Sequence, residues 1–595
     1  MFRIALLLAS VAASTTVLFA GTVNVLPMKP VAGEVIAVEY RADANLAKDY
    51  EAAGNVHAVI YAFEIHDELP DAIEVPLKFD GQRWTGSVSL PASVVYSIVK
   101  VGVPGNYDTN KDMFWSVRMH DKSGRPVEGA CFKEGQFCMG VYPAHYNREA
   151  DLTEAADLMA EELKLYPNNL DAYSSAITIK MQAKEITLEE AQKQMAATAG
   201  SSRRSFVPAD RFTEQQALQR YSAAASASEF IDSLEKHLTK YPNSPSSRAL
   251  YVGAVEAGAK ANELPRLTTM LERLQNVPPT TIHDAVNYIG AVDTLRPRAL
   301  ALIEKAVART DDPLARPTDM GVSEWNEERR HTLSNLHFVR GAILRAQSKY
   351  VEAIEALRRA IEIGRTEVNK AAYDMSVSML QMEKKNEEAL SLAAQGISNG
   401  VGSPLLVTTY RTVLTAQGKD SVSVERELAA LHVKGSTLQS KRLKREMLNL
   451  PMIDGAFTTP DGKPMPMSAW KGKVVLIDYW ATWCGPCRSS FPAVQKLYEK
   501  YRNNPKVAFA VVNVWERGDD RVKIVKDFLT KNPTLTFPVY MDLKDQVVGK
   551  YGVTGIPTKF WLDQNGRIQF KEVGGLPEEQ FLEEASQKID MLLNQ

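Results

Sequence analysis

The chain is poor in the residues that hold metal ions, and its charges nearly cancel. Its 595 residues include four cysteines and nine histidines, with no HExxH motif and no paired Cys/His cluster, so no metal site is predicted. Lysine and arginine number 70 against 72 aspartates and glutamates, which gives a net charge of −2. Such a balance gives no reason to expect nucleic acid or an anionic membrane surface as a partner. No cofactor is predicted either.

Long hydrophobic runs are also missing, except at the N-terminus. Residues 4–20 are apolar or small and uncharged, and they follow a short positive start at Arg3. This plan is typical of a secretory signal peptide, so residues 1–20 are predicted to direct the chain to the periplasm or another extracytoplasmic compartment. The alternative is an uncleaved membrane anchor. Against cleavage after Ala20, Leu18 is large for a position two residues before the cleavage site. Against a membrane anchor, four serine and threonine residues interrupt the apolar run.

The four cysteines form two local pairs, which suits an exported chain in an oxidising compartment. Cys131 and Cys138 are separated by six residues, and Cys484 and Cys487 by two. In the first pair, Gly135 at the centre of the segment suggests a turn, and a structural disulfide that closes a small hairpin loop is predicted. The alternative is a second redox pair that exchanges electrons with Cys484 and Cys487.

A chain of this length is too long for one hydrophobic core, so several domains are expected. Residues 22–145 contain short apolar or alternating runs, separated by clusters of Pro, Gly, Asn and Asp. This pattern predicts an all-β domain, an antiparallel sandwich of immunoglobulin-like type. From residue 146 to residue 450 the apolar residues recur at helical spacing, which predicts a central α-helical region.

The helical region resembles a degenerate tetratricopeptide array. Residues 162–168 are echoed by residues 237–243. Five residues near the middle match the small, aromatic and bulky positions of the tetratricopeptide pattern, although Arg340 stands where leucine is usual: Gly341, Tyr350, Ala353, Leu357 and Ala360. Stacked helical hairpins bury an apolar face that one hairpin alone cannot bury. The resemblance implies a concave surface for a protein partner; the alternative is a spacer between the two end domains.

The last region, residues 452–595, alternates predicted strands and helices in the order β-α-β-α-β-β-α. Residues 474–480 form an apolar run broken only by Asp478, as in a strand buried on both faces. A Cys-Gly-Pro-Cys motif follows at the start of a predicted helix, where the thiolate of Cys484 is favoured. Cys487, one helical turn further on, is placed to resolve a mixed disulfide. Zinc would need two more Cys or His ligands, and this region of the sequence has none.

These features resemble the thioredoxin superfamily, and within it the exported TlpA/ResA-like family. The resemblance rests on the motif within residues 481–487, on Lys-Gly-Lys at 471–473 and on Gly-Ile-Pro-Thr at 555–558. It implies an α/β thioredoxin-like fold over residues 452–595. It also implies an enzyme that exchanges dithiol for disulfide with protein substrates through a redox-active Cys484–Cys487 disulfide.

The resemblance implies roles for four further residues. Pro557 matches the family's cis-proline, a state that X-Pro bonds tolerate far better than other peptide bonds. The backbone of Ile556 is expected to pair with the substrate chain as an added strand, and Trp483 is expected to flank the exposed sulfur of Cys484. Thioredoxins carry a buried aspartate where this chain has Asp478, whereas the TlpA/ResA-like branch more often has asparagine, so the chain departs from that branch here.

Asp478 is predicted to carry protons for the dithiol. Its position inside an apolar strand implies burial, which disfavours the charged carboxylate and lets the group act as a proton carrier. The alternative is a carboxylate that is hydrogen-bonded at the strand end for structural reasons.

The sequence as a whole indicates an exported, multidomain thiol-disulfide oxidoreductase that serves redox homeostasis. Gly-Pro between the cysteines favours reduction, and thioredoxin itself has a potential of roughly −270 mV. Reduction outside the cytoplasm requires a membrane thiol-reducing electron donor as a partner. One alternative is an interaction scaffold built on the helical repeats and the sandwich, with an auxiliary redox domain; another is an oxidase or isomerase.

Overall fold

The computed structural model describes residues 21–594 apart from a set of gaps. The gaps are residues 43–45, 48–49, 52–53, 68, 105, 111–112, 141, 143–147, 149, 199–201, 207–225, 242–246, 276, 311–315, 365–369, 449, 519, 552, 554 and 577. The predicted signal peptide, residues 1–20, lies outside the described residues. The chain separates into two compact units, residues 1–372 and 373–595. Within the described part of the chain, no helix combines the length and apolar character needed to cross a membrane.

Two β-sheets form the N-terminal part of the first unit. Its described strands are β1 (Thr22–Leu26), β2 (Val35–Arg41), β3 (His57–Glu64), β4 (Asp71–Pro76), β5 (Lys78–Phe79), β6 (Trp84–Ser89), β7 (Val94–Val103), β8 (Asn106–Asp108) and β9 (Trp115–Arg118). One sheet has the order β1-β2-β6-β5, and the other has β4-β3-β7-β8 with β9 also paired to β7. The β-sheet character predicted for this region is confirmed.

The two N-terminal sheets contribute to one hydrophobic core. Side chains alternate along β2, so that Ile36, Val38 and Tyr40 all point to the buried side. Ala58 and Ile60 of β3, in the other sheet, belong to the same buried cluster. The alternating run of β2 therefore marks the inward face of its sheet, whereas β3 is buried along nearly its whole length.

The prediction of a hairpin closed by a Cys131–Cys138 disulfide is wrong, because this segment forms helix α1 (Ala130–Cys138). Residues seven apart in a helix lie roughly 10 Å apart along its axis, beyond the roughly 7 Å between Cα atoms that a disulfide can bridge. Cys131 and Cys138 are instead buried free thiols. A Cβ on Gly135 would meet Met159 Cε at 2.7 Å, so this glycine permits close helix packing rather than a turn.

Helices follow α1 through the rest of the first unit. Their described bounds are α2 (Leu152–Leu165), α3 (Leu170–Gln182), α4 (Leu188–Ala196), α5 (Ala227–Lys240), α6 (Ser247–Lys260), α7 (Leu264–Arg273), α8 (Pro279–Ile289), α9 (Arg296–Thr310), α10 (Val322–Ala346) and α11 (Tyr350–Gly364). Helices α10 and α11 pack so closely that a Cβ on Gly341 would meet Leu357 Cγ at 2.6 Å. The predicted central helical region is confirmed.

Buried polar contacts fasten the second N-terminal sheet to helix α10. Lys100 on β7 is 3% exposed. Its ammonium forms an ion pair with Glu324 in the first turn of α10 and lies 4.4 Å from the centre of the Tyr107 ring. Glu74 on β4 accepts hydrogen bonds from the backbone N–H of Ser323, at 2.8 Å, and from its hydroxyl. These contacts satisfy charges that would be costly to bury alone.

Four helices lead into a mixed sheet in the C-terminal part of the chain. The helices are α12 (Lys370–Met382), α13 (Asn386–Ser398), α14 (Pro404–Ala416) and α15 (Ser421–Glu446). The strands are β10 (Leu450–Pro451), β11 (Ala456–Thr458), β12 (Pro464–Pro466), β13 (Val474–Trp480), β14 (Val507–Asn513), β15 (Val539–Met541), β16 (Thr558–Leu562) and β17 (Arg567–Val573). Four more helices connect or close them: α16 (Gly485–Tyr501), α17 (Arg521–Lys531), α18 (Gln546–Lys550) and α19 (Glu578–Leu593).

Strand β13 occupies the middle of this sheet, whose order is β10-β17-β16-β13-β14-β15-β11-β12. It runs parallel to β14 and antiparallel to β16, and every one of its residues is buried. One face of β13 packs against α16, α17 and α19. The other face contributes Tyr479 to a separate aromatic cluster that also includes Tyr551. The predicted thioredoxin-like fold is confirmed, with additions that the predicted order of strands and helices did not include, among them strand β17 and helix α18.

Candidate active site

The two C-terminal cysteines lie where strand β13 passes into helix α16. Cys484 is the N-cap residue of α16, and its Sγ accepts a hydrogen bond of 3.2 Å from the backbone N–H of Cys487. Pro486 lies in the first turn, where its missing N–H leaves no helix bond unmade. The cysteines are bonded to each other, with 5.3 Å between their Cα atoms. The predicted Cys484–Cys487 disulfide is present in the structure.

A cis-proline loop faces the dithiol. The Ile556–Pro557 bond is cis, as predicted. The carbonyl oxygen of Ile556 lies 3.7 Å from Cys484 Sγ, and the carbonyl of Pro557 accepts a 2.8 Å hydrogen bond from the backbone N–H of Gly574. The β16–β17 hairpin therefore holds this loop within contact distance of the reacting sulfur.

Trp483 is the exposed side chain next to the dithiol, with 42% of its surface accessible. Its Nε1–H donates a 2.8 Å hydrogen bond to the carbonyl of Trp515, and the guanidinium of Arg517 lies 4.6 Å from the centre of its ring. The indole is thus held by a backbone hydrogen bond and a cation–π contact.

Glu516 fixes the loop that precedes Cys484, and the sequence reasoning missed it. Its carboxylate accepts hydrogen bonds from the backbone N–H and the hydroxyl of Thr482, and a third, of 2.8 Å, from the Asn513 amide. Glu516 follows β14, the strand parallel to β13. The carboxyl ends of parallel strands meet at one edge of a sheet. An acidic residue shortly after β14 could therefore have been predicted to lie near the loop that follows β13.

Asp478 is buried in β13 with 1% of its side chain exposed, and its nearest charged partner is Lys559, whose Nζ lies 3.4 Å from Oδ1. Within the described structure neither carboxylate oxygen has a hydrogen-bond partner of good geometry. The alternative prediction, a carboxylate held by hydrogen bonds for structural reasons, is therefore not supported. Burial raises the pKa of the Asp478 carboxyl, and the Lys559 cation opposes that rise. The burial follows from the sequence pattern; Lys559 was not anticipated.

A groove of about 870 Å³ lies beside the dithiol, between α16 and α17. Gly485, the residue after Cys484, contributes to its wall, together with the aromatic rings of Phe491 and Phe528 and the cations of Arg488 and Lys531. Apolar and charged surface is therefore available next to the reactive sulfur.

Comparison with known proteins identifies the family. The Redoxin family model matches residues 448–589. The thiol-disulfide oxidoreductase ResA of Bacillus thuringiensis subsp. konkukian is 33% identical over 132 residues, which is 22% of this chain and 72% of that protein. The thioredoxin-like protein YneN of Bacillus subtilis is 35% identical over 140 residues, 23% of this chain and 76% of that protein. The chain belongs to the ResA-like thiol-disulfide oxidoreductases.

Two solved structures are also similar to part of the chain. StoA from Bacillus subtilis is 28% identical with a TM-score of 0.20, covering 23% of this chain and 98% of that one. A thiol:disulfide interchange protein of the thioredoxin family from Chlorobium tepidum is 27% identical with a TM-score of 0.21, covering 24% and 97%. This member of the ResA-like family is an enzyme, as predicted, and its C-terminal domain carries the thiol-disulfide chemistry.

Proposed function

We propose that this ResA-like protein is an exported reductase that breaks disulfides in protein substrates. The observation that carries the proposal is the placement of Cys484 at the N-cap of α16, bonded to Cys487 and 3.7 Å from the carbonyl of Ile556. A helix N-terminus favours a thiolate, and the neighbouring carbonyl gives a substrate chain a backbone group to pair with.

The reaction passes two electrons from the dithiol to the substrate. In the reduced enzyme the Cys484 thiolate attacks one sulfur of the substrate disulfide, which forms a mixed disulfide and releases the other substrate sulfur as a thiolate that takes up a proton. Cys487 then loses its proton and attacks Cys484 Sγ. The bond to the substrate breaks, the second substrate sulfur leaves and is protonated, and the Cys484–Cys487 disulfide forms.

Asp478 is the proposed acceptor of the Cys487 proton. It lies on the same face of β13 as Trp480, a residue that belongs to the core cluster containing both cysteines. A buried carboxyl with a raised pKa holds a proton at a higher pH than a surface aspartate and is better matched to a thiol. Ile556 and Pro557 would align the substrate backbone, and Trp483 would cover the attacked sulfur.

Export and direction rest on the sequence. Residues 1–20 have the plan of a signal peptide, and Gly-Pro between the cysteines favours a reducing potential near that of thioredoxin, roughly −270 mV. Each turnover oxidises Cys484 and Cys487, so a continuing reductase needs a donor of electrons. A membrane protein that passes thiol electrons outward is the proposed donor.

The remainder of the chain is proposed to bring clients to this dithiol. The two sheets within residues 22–145 share a core, which supports a sandwich. The close contact of Gly341 with Leu357 supports tetratricopeptide-like packing within residues 146–450, with the redox domain at 452–595. In the alternative proposal these regions are the functional part, a protein-binding scaffold, and the redox domain is auxiliary.

Insulin reduction by the full chain, with dithiothreitol as the electron source, tests the proposal. Wild type should accelerate precipitation of the insulin B chain, and Cys484→Ser should reduce the rate to that of dithiothreitol alone. Cys131→Ser is the matched control and should behave as wild type. Insulin reduction that does not depend on Cys484 would refute the proposed activity. The redox potential of the Cys484–Cys487 pair, measured by equilibration with glutathione, would distinguish a reductase from an oxidase or isomerase.

A further inference from the structure

A row of alternating charges crosses three strands beneath the dithiol. Asp478 on β13 is directly opposite Lys559 on β16, and Lys559 is directly opposite Glu572 on β17. All three lie on the face of the sheet that α16 and α19 cover, because the residues two positions away on their strands belong to the core on that face. Those residues are Trp480, Trp561 and Phe570.

The row continues from the sheet into helix α19. Lys559 Nζ lies 3.4 Å from Asp478 Oδ1, and each of these side chains is 1% exposed. Lys588 of α19 places its Nζ 3.0 Å from Glu572 Oε2, with exposures of 9% and 14%, and 4.2 Å from the centre of the Trp561 ring. The signs alternate from the buried centre of the sheet towards its more accessible side: minus, plus, minus, plus.

Two fully buried charges side by side are unusual. Lysine and aspartate are almost never buried completely unless they are paired, and removing one partner leaves the other uncompensated. On its other side Asp478 has Val511 of β14 opposite it. Among the described residues, the charged groups that act on Asp478 are Lys559 and Glu572, and Lys588 of α19 pairs with Glu572. Helix α16 adds the dithiol.

We propose that Lys559 is a positioning residue for thiol-disulfide exchange, and that the row Asp478–Lys559–Glu572–Lys588 sets the pH range in which Asp478 exchanges its proton with Cys487. This inference rests on the proton-accepting role proposed for Asp478. Lys559 acts through Asp478 by favouring the carboxylate, and Glu572 opposes it from the next strand. In the step concerned, the Cys487 thiol gives its proton to the carboxylate, its sulfur bonds to Cys484, and the substrate sulfur leaves.

An electrostatic row makes a prediction that a packing role does not. Lys559→Met removes the cation and keeps most of the side-chain volume, so the carboxylate becomes harder to form and should need a higher pH. Glu572→Gln removes an anion, so the carboxylate should form at a lower pH. Damage to packing would slow both variants without moving their pH profiles in opposite directions.

The experiment follows the second step of exchange in the full-length chain. The reduced protein is mixed with one equivalent of a disulfide-bonded peptide, quenched with acid at intervals between pH 5 and pH 9, and the decay of the Cys484–peptide mixed disulfide is measured by mass spectrometry. We expect the inflection of the rate to move up by roughly 1 to 3 pH units in Lys559→Met. It should move down by a smaller amount in Glu572→Gln and return towards wild type in Lys559→Arg.

Asp478→Asn separates this inference from the function on which it rests. If the inflection persists in that variant, Asp478 is not the proton acceptor, and both its proposed role and the role of the charged row are refuted. The proposed enzyme activity is tested separately, by the dependence of insulin reduction on Cys484. If Asp478→Asn abolishes the inflection but Lys559→Met and Glu572→Gln shift it the same way or not at all, only the row is overturned. Should Lys559→Met fail to fold, the downward shift in Glu572→Gln decides.

Discussion

The two cysteine pairs are almost equally buried, yet they are built for opposite purposes. Cys131, Cys138, Cys484 and Cys487 are at most 3% exposed. The first pair spans helix α1 from one end to the other, whereas in the second pair one cysteine caps α16 and its partner lies in the first turn. Burial alone thus does not distinguish a structural thiol from a catalytic one.

Spacing and helix position explain the difference. Cysteines at positions i and i+3 bring their sulfurs together at a helix start, whereas cysteines at positions i and i+7 of a helix stay about two helical turns apart. Burial raises the pKa of Cys131 and of Cys138 to about 12, so both stay protonated and unreactive. At the start of α16, unpaired N–H groups favour the anion instead.

Alkylation of the reduced full-length chain should separate the two pairs most widely. Cys484 should react with iodoacetamide at neutral pH at least about a hundredfold faster than Cys131 or Cys138, because thiolates react and thiols do not. Peptide mass spectrometry after timed quenching gives the rates, and labelling in urea checks that all four sites can be modified. Comparable rates at Cys131 and Cys484 would show that the two pairs do not differ in thiolate character.

Removing the second cysteine of each pair should affect turnover very differently. Cys487→Ala leaves no resolving thiol, so the enzyme should stall as a Cys484 mixed disulfide and lose at least about tenfold of its insulin-reduction rate. Cys138→Ala should stay within about twofold of wild type, since a thiol that remains protonated takes no part in exchange. Non-reducing electrophoresis detects the trapped adduct; its absence from Cys487→Ala would count against the two-cysteine mechanism.

The glycines within the two helices should respond differently to a larger side chain. Gly135 packs against α2, so Gly135→Val should lower the free energy of unfolding by about 1–3 kcal/mol. No described atom lies within 4 Å of a Cβ on Gly485, and Gly485→Val should change it by about 0.5 kcal/mol or less. Urea denaturation measures both, and equal losses would show that α1 does not need the close contact.

The smallest effect concerns alkaline pH. In the folded chain Cys131 and Cys138 have a raised pKa, so their contribution to stability is complete below pH 9 and is lost as the unfolded chain ionises between about pH 9 and pH 12. Raising the pH from 8 to 9.5 under reducing conditions should cost wild type about 1.5 kcal/mol more than Cys131→Ala/Cys138→Ala. Parallel losses in urea denaturation would mean that these thiols do not titrate differently in the two states.

The sequence was most informative where a local pattern sufficed. The apolar run of β13, the Cys-Gly-Pro-Cys motif and the Ile556–Pro557 pair each lie within a few residues, and each has the predicted structure. Helix α1 was missed because its nine residues mix apolar, charged and glycine positions, and a central glycine can mark either a turn or a close helix contact.

Residues whose setting depends on strand pairing could not be predicted. Lys559 lies in a short strand that begins with two polar residues, which gives no sign of burial. Only the register of β16 against β13 and β17 places it beside Asp478 and Glu572. Glu516 likewise becomes a ligand of the Thr482 backbone only after β14 is aligned with β13. A one-residue change in the register of β16 would turn Lys559 to the opposite face of the sheet.

The N-terminal sheets are not a portable module. Lys100 and Glu74 find their partners 224 and 249 residues further along the chain, so an excision at residue 145 would take the sheets away from Glu324 and Ser323. A recombination event that transplanted the sheets into another protein would have to carry helix α10 with them or replace two buried charges. The stability of the sheets is therefore tied to helix α10 through these charged contacts.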